Sequence, residues 1–277
     1  MIQPYLKDEA FLADVHGADE DQFNLWWLGQ SGILLQWQGQ HLLVDPYLSD
    51  SLTKKYADSD KPHVRLVERV IQPERLGFVL GVTSSHNHTD HLDAETILPI
   101  LAANPALEVV VPEANLAFAG ARLQLPAERL TKIDADGRPV RLGPFSISAI
   151  PAAHEMLETD ESGHHKFLSY IFEAGGRRIF HSGDACLYAG LENSLRAWKI
   201  DVAILPINGR DPKRGVPGNF TGEEAAWLGK EIGAGLVIPC HYEMFEFNSV
   251  SPQGFIAAAE KAGLPYRILG VGERYSF

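Results

Sequence analysis

Four metal-ligating side chains within six positions constrain this chain more than any other feature. They are His86, His88, Asp90 and His91, in the order His-x-His-x-Asp-His. Imidazole and carboxylate are ligand types that suit zinc, manganese or iron. Two imidazoles at i and i+2 on a loop can converge on one ion, whereas Asp90 and His91 lie further along and point to a neighbouring position. The cluster therefore predicts a site for one or two divalent cations.

Further ligand-type residues follow predicted strands. The strand candidates are short apolar runs, each of which ends just before such a residue. The pairs are Phe78–Thr83 with His86, Phe145–Ile150 with His154, Arg178–His181 with Asp184, and Leu236–Pro239 with His241. Taken singly, His154 or His241 is more often an ordinary, partly buried histidine, and the cluster alone could be a hydrated surface loop. Their shared position at strand ends favours a common site.

The remaining pattern predicts an α/β fold with two mixed β-sheets packed face to face and helices outside, because strands are grouped at the start of each half and alternate with helices afterwards. Other predicted strands are Leu25–Leu28, Ile33–Trp37, His41–Val44, Val109–Val111, Leu168–Glu173, Val202–Pro206 and Tyr266–Leu269. Predicted helices follow Asp93 through Leu101, cover Ala114–Ala121, and begin at the Thr221/Glu224 capping box and at Ser251-Pro252. Without a visible linker, residues 1–277 are expected to form a single domain.

Composition narrows the function classes. The net charge of -12 disfavours a nucleic-acid groove and favours a small-molecule substrate. The two cysteines, Cys186 and Cys240, are too few for a disulfide framework and are expected to be reduced thiols. The amino terminus lacks a basic stretch before an apolar run, and no apolar segment is long enough to span a bilayer, so a cytoplasmic location is expected. Assembly into a homo-oligomer stays open.

A family resemblance emerges from the order of the candidates. Asp45, the His86–His91 cluster, His154, Asp184 and His241 resemble the five successive motifs of the metallo-β-lactamase superfamily, over nearly the whole chain. The resemblance implies an αββα sandwich. Four segments look like the branch that contains L-ascorbate-6-phosphate lactonase, and they are also similar to N-acylphosphatidylethanolamine phospholipase D. These segments are Trp27–Gly32, Ser85–His88, Asn208–Arg210 and Gly218–Phe220.

The resemblance also implies a role for each residue. His86, His88 and His154 would bind a first ion, and Asp90, His91 and His241 a second, with Asp184 bridging. Asp45 would support a ligand from behind without touching metal, since a buried carboxylate fixes the tautomer of an imidazole. The cofactors would be two divalent ions, zinc or manganese, with iron as an alternative. One departure is His154, because the lactonase pattern has no histidine there.

The leading functional hypothesis is a metal-dependent hydrolase, in which a metal-bound hydroxide attacks a small ester, a lactone or a phosphorylated sugar. Asp90 and Asp184 would act catalytically by orienting the attacking water. The alternatives are a phosphodiesterase, a di-iron redox protein and a non-enzymatic module stabilised by metal.

Weaker candidates lie elsewhere in the chain. Asn208 and Arg210 could orient an oxyanion or a phosphate, although capping of their loop is an equal alternative. Tyr242 is a further candidate for substrate contact, and Tyr170 and Tyr242 are candidate proton donors. The polar segment 49–62 predicts an exposed loop or short helix near the site, either a lid or a partner surface.

Overall fold

A seven-stranded mixed sheet forms one half of the molecule. The computed structural model describes residues 1–135 and 137–277. Along this sheet the order is β15-β1-β2-β3-β4-β5-β6. Its strands are β1 (Asn24–Gly29), β2 (Gly32–Trp37), β3 (Gln40–Val44), β4 (Gly81–Thr83), β5 (Glu108–Pro112), β6 (Leu130–Ile133) and β15 (Arg274–Ser276). Neighbouring strands from β15 through β3 pair antiparallel, and neighbouring strands from β3 through β6 pair parallel.

A six-stranded mixed sheet forms the other half, in the order β14-β13-β12-β11-β8-β7. Its strands are β7 (Val140–Leu142), β8 (Phe145–Pro151), β11 (Leu168–Ala174), β12 (Arg177–His181), β13 (Val202–Pro206) and β14 (Leu236–Cys240). β12, β13 and β14 are parallel, and the other pairs are antiparallel. A small ribbon of β9 (Ala153–His154) and β10 (Met156–Leu157) projects beyond β8.

Seven α-helices complete the described part of the chain. They are α1 (Asp8–His16), α2 (Ser51–Lys55), α3 (Ala94–Ala103), α4 (Leu116–Leu123), α5 (Leu191–Arg196), α6 (Gly222–Glu231) and α7 (Gln253–Ala262). α6 begins at the predicted capping box, in which the Thr221 hydroxyl accepts the Glu224 N–H and the Glu224 carboxylate accepts the Thr221 N–H. Among these helices, none is both long and apolar enough to cross a bilayer.

The two sheets pack through a shared apolar core. Strands such as β1, β2 and β13 are buried on both faces, which explains why their sequences are nearly continuous apolar runs. Trp26 and Trp27 are both buried, and residues of the two sheets belong to one contiguous cluster. The predicted αββα arrangement of two mixed sheets with helices is therefore confirmed.

Most predicted strands agree with the structure to within one or two residues, but three predictions need correction. Phe78–Thr83 is a strand only at Gly81–Thr83, because a 3-10 turn at Pro73–Leu76 precedes it. Tyr266–Leu269 is not a strand, because Tyr266 makes a single bridge to Val237 on β14. The strand that follows in the chain is instead β15, at the edge of the seven-stranded sheet. The helix predicted at Ala114–Ala121 begins as a 3-10 turn and becomes α-helical at Leu116.

Two buried polar contacts tie the sheets together close to the ends of their parallel strands. The Tyr170 hydroxyl on β11 donates to the Ser84 carbonyl oxygen after β4, at 2.8 Å. The His181 Nε2 at the end of β12 lies 2.8 Å from the Ser31 carbonyl oxygen in the β1–β2 turn, and the Gly183 N–H donates to His181 Nδ1. His181 is thus a structural residue, with its tautomer set by these two partners.

We expect Tyr170→Phe to lower the free energy of unfolding by about 1–2 kcal/mol, because it leaves the buried Ser84 carbonyl without its donor. Urea unfolding measures this loss. Tyr188→Phe is the matched control, since the Tyr188 hydroxyl makes the same type of bond to Pro151 at a partly exposed position. A Tyr170→Phe protein of unchanged stability that loses hydrolysis would instead favour Tyr170 as a proton donor.

Candidate metal centre

The structure brings all seven predicted ligands together at one end of the two sheets. His86, His88, His154 and Asp184 form one group, and Asp90, His91 and His241 form a second. Within each group the ligand atoms all lie within 4.8 Å of one another. His154 ends the short strand β9 just beyond β8, and the other ligands follow β4, β12 and β14, so the shared end of these strands delivers the whole set. Side chains separated by up to 155 positions thus become neighbours because parallel strands point the same way.

Asp184 lies between the two groups. Its Oδ1 is 3.2 Å from His91 Nε2, and its Oδ2 is 3.5 Å from His241 Nε2 and 3.8 Å from His154 Nε2. Asp90 belongs to the second group, and its Oδ2 lies 3.7 Å from both His91 Nε2 and His241 Nε2. One carboxylate therefore faces ligands of both groups, which is the position that a bridging ligand requires.

Asp45 supports the cluster from behind. It is fully buried at the end of β3, where its Oδ2 lies 2.6 Å from His91 Nδ1 and its Oδ1 accepts the Ser85 N–H at 2.8 Å. An Nδ1–H donated to Asp45 leaves His91 Nε2 as the free lone pair, directed at Asp90 and Asp184. The structure thus places Asp45 where the sequence analysis expects it, in contact with a ligand.

The His154 ring has an equivalent support. Its Nδ1 lies 2.9 Å from the Gly218 carbonyl oxygen, so Nδ1–H donates and Nε2 faces the cluster. A side chain at position 218 would collide with Arg210, because an added Cβ would lie 2.0 Å from the Arg210 Cβ. Gly218 thus allows the loop before α6 to pack against Arg210 while its carbonyl oxygen faces His154.

The donor set fits divalent cations. Buried polar atoms normally have hydrogen-bond partners, yet His86 Nε2 has none among the described residues, and His91 Nε2 and Asp184 Oδ1, although 3.2 Å apart, are not aligned for a hydrogen bond. These unpartnered atoms belong to side chains that converge on the cluster. Neutral imidazole nitrogens and a carboxylate are ligands for zinc, manganese or iron, so the residues match the type of group that the sequence predicts.

The two groups differ in their affinity for protons. Burial lowers the pKa of His86 and His88, and it lowers that of His154 to about 4, so these rings are neutral near pH 7. Burial also opposes charge on His241, but Asp184 and Asp90 raise its pKa to about 9. The same carboxylates, with Asp45, overcome burial and raise the pKa of His91. Metal must therefore displace protons from the second group.

An open cavity of about 310 Å³ lies over the cluster. Among its described lining residues are His88, Asp90, His154, Asp184 and His241, so the ligands form part of its wall. Segment 49–62 folds partly into α2 and contributes Leu52, Lys55 and Tyr56 to the rim. The polar segment predicted to lie near the site is therefore adjacent to it.

The side chains of three residues that were predicted to contact substrate, Arg210, Tyr242 and Asn208, bind other parts of the protein. Arg210 makes a two-pronged ion pair with Glu224, with its NH1 2.6 Å from Oε2. The Tyr242 hydroxyl donates to the Leu269 carbonyl oxygen at 3.1 Å, and its ring stacks on Trp27.

The third residue, Asn208, is buried and bonded to two other amides. Its Nδ2 donates to Asn248 Oδ1 at 3.2 Å, and its Oδ1 accepts from Asn219 Nδ2 at 2.9 Å. Asn208, Arg210 and Tyr242 are all absent from the described lining of the cavity. In this structure protein partners use the polar atoms of all three side chains, which for Asn208 and Arg210 favours the alternative of loop capping.

Gln30 is a site residue that the sequence analysis missed. Its Nε2 donates to Asp90 Oδ2 at 2.8 Å and lies 2.9 Å from His241 Nε2, while its carbonyl oxygen accepts the His241 N–H at 2.9 Å. It adopts a left-handed conformation with φ of 50° in the β1–β2 turn. The polar residue between Gly29 and Ser31, at the tip of an otherwise apolar hairpin, was the available signal.

Comparison with known proteins agrees with this geometry. The beta-lactamase superfamily domain matches residues 40–242. A UPF0173 metal-dependent hydrolase from Alkaliphilus metalliredigens is 27% identical over 258 residues, covering 91% of this chain and 98% of the relative. A solved structure described as a possible metal-dependent hydrolase from Veillonella parvula has a TM-score of 0.72 at 14% identity, covering 92% and 99% of the two chains. The diiron β-hydroxylase CmlA from Streptomyces venezuelae has a TM-score of 0.65 at 14% identity, covering 94% of this chain and 54% of CmlA.

The chain belongs to the beta-lactamase superfamily, since that family's domain matches most of its length and its fold and site agree. Within the superfamily it is a metal-dependent hydrolase. Its likeness to the two solved structures concerns the fold alone.

We expect Asp45→Asn to weaken metal binding about 10–100-fold, because an amide removes the charge that holds the His91 tautomer. Titration of the metal-free protein with zinc against a competing chelator measures the change. Asp50→Asn removes the same charge from an exposed position in the adjoining loop and is expected to bind zinc as the wild type does. Equal affinities for Asp45→Asn and wild type would contradict the supporting role of Asp45.

Metal uptake should depend on pH differently in the two groups. A ring with a pKa of about 4, such as His154, is already deprotonated at pH 6, so loading of its group should change little above that pH. His241 retains its proton up to about pH 9, so affinity at its group should rise with pH up to about pH 9. Chelator competition at pH 6, 7, 8 and 9 measures both affinities. Two affinities that rise in parallel across this range would contradict the assignment.

Proposed function

We propose that the chain hydrolyses a small ester, a lactone or a phosphorylated sugar-type substrate, as a single domain with two divalent ions, zinc or manganese. His86, His88 and His154 would bind the first ion, Asp90, His91 and His241 the second, and Asp184 would bridge them. The observation that carries this proposal is the position of Asp184 between two donor groups beneath an open cavity.

Divalent ions at such a site activate a water molecule near neutral pH and stabilise the developing negative charge. The protein's own contribution is orientation. Asp184 and Asp90 carry the carboxylate oxygens that face the Nε2 atoms of His91 and His241, and they can accept the protons of an attacking water. Their charge persists at neutral pH: burial raises the pKa of Asp184, but His91 and His241 lower it well below its ordinary value.

The openness of the site supports an enzyme rather than a purely structural metal module. Structural metal sites are closed shells of protein ligands, whereas catalytic sites retain a position for water or substrate. Here the ligand residues form part of the cavity wall.

The lactonase-like branch remains the preferred comparison, because the Trp27–Gly32, Ser85–His88 and Gly218–Phe220 segments resemble it. A phosphodiesterase resembling N-acylphosphatidylethanolamine phospholipase D is the second candidate, favoured by the same segments. His154 departs from the lactonase pattern and so weakens the transfer of that substrate. A di-iron redox function is the third: CmlA shares the fold, and imidazole and carboxylate ligands also suit iron. A cytoplasmic location and a small-molecule substrate complete the proposal.

Asp184→Asn should abolish turnover, because an amide cannot supply two anionic oxygens to ligands on both sides, and it should also reduce bound metal. The assay is a panel of lactones, phosphodiesters and sugar phosphates, with metal quantified on the same preparations. Asp160→Asn, in a partly buried turn outside both ligand groups, is the control variant. Wild-type rates at unchanged metal content in Asp184→Asn would overturn the proposal, and stoichiometric iron with a redox-active spectrum would favour the third candidate.

A further inference from the structure

Two cationic side chains lie at the rim of the cavity, outside the ligand set. Lys55 lies at the end of α2 and Arg122 in the last turn of α4, and both line the cavity. Apart from histidines, the other charged side chains among its described lining residues are Asp90 and Asp184, which belong to the two ligand groups. In a chain with 36 acidic and 24 basic residues, the rim is thus locally cationic.

Both cationic side chains contact the loop that carries the histidine cluster. Arg122 NH1 donates to the Asn87 carbonyl oxygen at 2.6 Å, between His86 and His88. Lys55 Nζ lies 3.4 Å from the Thr89 hydroxyl, between His88 and Asp90. The positive charges of Arg122 and Lys55 therefore flank the loop that carries the histidine cluster, and these contacts hold them beside the ligand residues.

An aromatic ring further orients each cation. The Arg122 guanidinium lies 4.4 Å from the centroid of the Phe118 ring, one turn earlier on α4, and the Lys55 ammonium lies 5.0 Å from the centroid of Tyr56. Arg122 is held through NH1, and the described residues supply no hydrogen-bond acceptor to its NH2. A guanidinium that is fixed on one side and free on the other is suited to bind a carboxylate or phosphate.

We propose that Lys55 and Arg122 form an anion-binding subsite, and that the substrate carries a carboxylate or phosphate group beside the bond that is hydrolysed. This inference rests on the proposed hydrolytic function and adds a substrate class to it. The ligand groups perform the reaction, and the two rim cations bind the anionic group and so place the scissile bond over the cluster.

The first test compares two esters of similar size, neutral 4-nitrophenyl butyrate and anionic 4-nitrophenyl hemisuccinate, with the metal-loaded protein. The measured quantity is the ratio of kcat/KM for the anionic ester to that for the neutral ester. Lys55→Ala and Arg122→Ala should each lower this ratio about tenfold, mainly through KM, and Arg122→Lys should lower it less.

Lys54→Ala and Arg129→Ala are matched controls. Lys54 neighbours Lys55 on α2 but pairs with Glu95, and Arg129 donates to the Pro105 carbonyl oxygen on the surface. Both remove one positive charge without altering the described cavity lining, and the ratio should stay at the wild-type value. An unchanged ratio in Lys55→Ala and Arg122→Ala, or an equal fall in the controls, would overturn the proposal.

A binding measurement separates failure of this inference from failure of the proposed function. Calorimetric titration of the metal-loaded proteins with succinate and with neutral succinamide requires no turnover. Succinate should bind wild type and Lys54→Ala more tightly than succinamide, and the Lys55→Ala/Arg122→Ala double variant should lose this preference.

If neither ester is hydrolysed while this binding pattern is found, ester hydrolysis is contradicted and the subsite is supported. The same preference in the double variant would overturn the subsite, because succinate would then bind elsewhere. Titration with inorganic phosphate distinguishes the two anion chemistries, since the substrate's anion should show the larger loss of affinity in the double variant.

Discussion

The structure depends on keeping one buried carboxylate, that of Asp184, charged within an apolar sandwich. Moving an isolated carboxylate out of water is costly unless opposite charges and hydrogen bonds compensate. Here the compensation comes from the imidazoles of His91 and His241, at 3.2 and 3.5 Å from the Asp184 oxygens. The two sheets must therefore pack with the ends of their parallel strands at the same edge, because a displaced strand would leave a buried charge without a partner.

The surrounding contacts stiffen this arrangement from both sheets. Asp45 and Ser85 fix His91 from the first sheet, and His181 joins the second sheet to the β1–β2 turn. Three residues at the site, Gln30, Asp45 and His241, have positive φ values, an uncommon conformation for residues other than glycine, which also occurs elsewhere in the chain, as at Gln38 and Lys199. Strained residues persist only where their surroundings hold them, and they tend to cluster at functional sites.

How much the sequence predicts depends on the range of the interactions involved. The His86–His91 cluster is evident because its chemistry is concentrated in one loop, and the strands are evident from buried apolar runs. The ion pair of Arg210 with Glu224, 14 positions away, was not predicted, and the polar strand β15 gives no apolar signal. Gln30 was missed because its contacts with Asp90 and His241 span 60 and 211 positions, which only the tertiary structure brings together.

The ligand residues form the floor of the cavity, and side chains of α2 and α4 form its rim. This division explains why the motifs predict the chemistry better than they predict the substrate. The floor ligands follow strands whose positions the sheets determine, so any chain with this fold and these motifs presents a similar reacting centre. The rim instead comes from α2, α4 and connecting segments, which can vary without disturbing the core. A lactone, an ester and a phosphodiester all need an activated water, but they differ in what surrounds the scissile bond. Selectivity among them must therefore come from side chains such as Lys55, Tyr56, Phe118 and Arg122, which lie outside the family motifs.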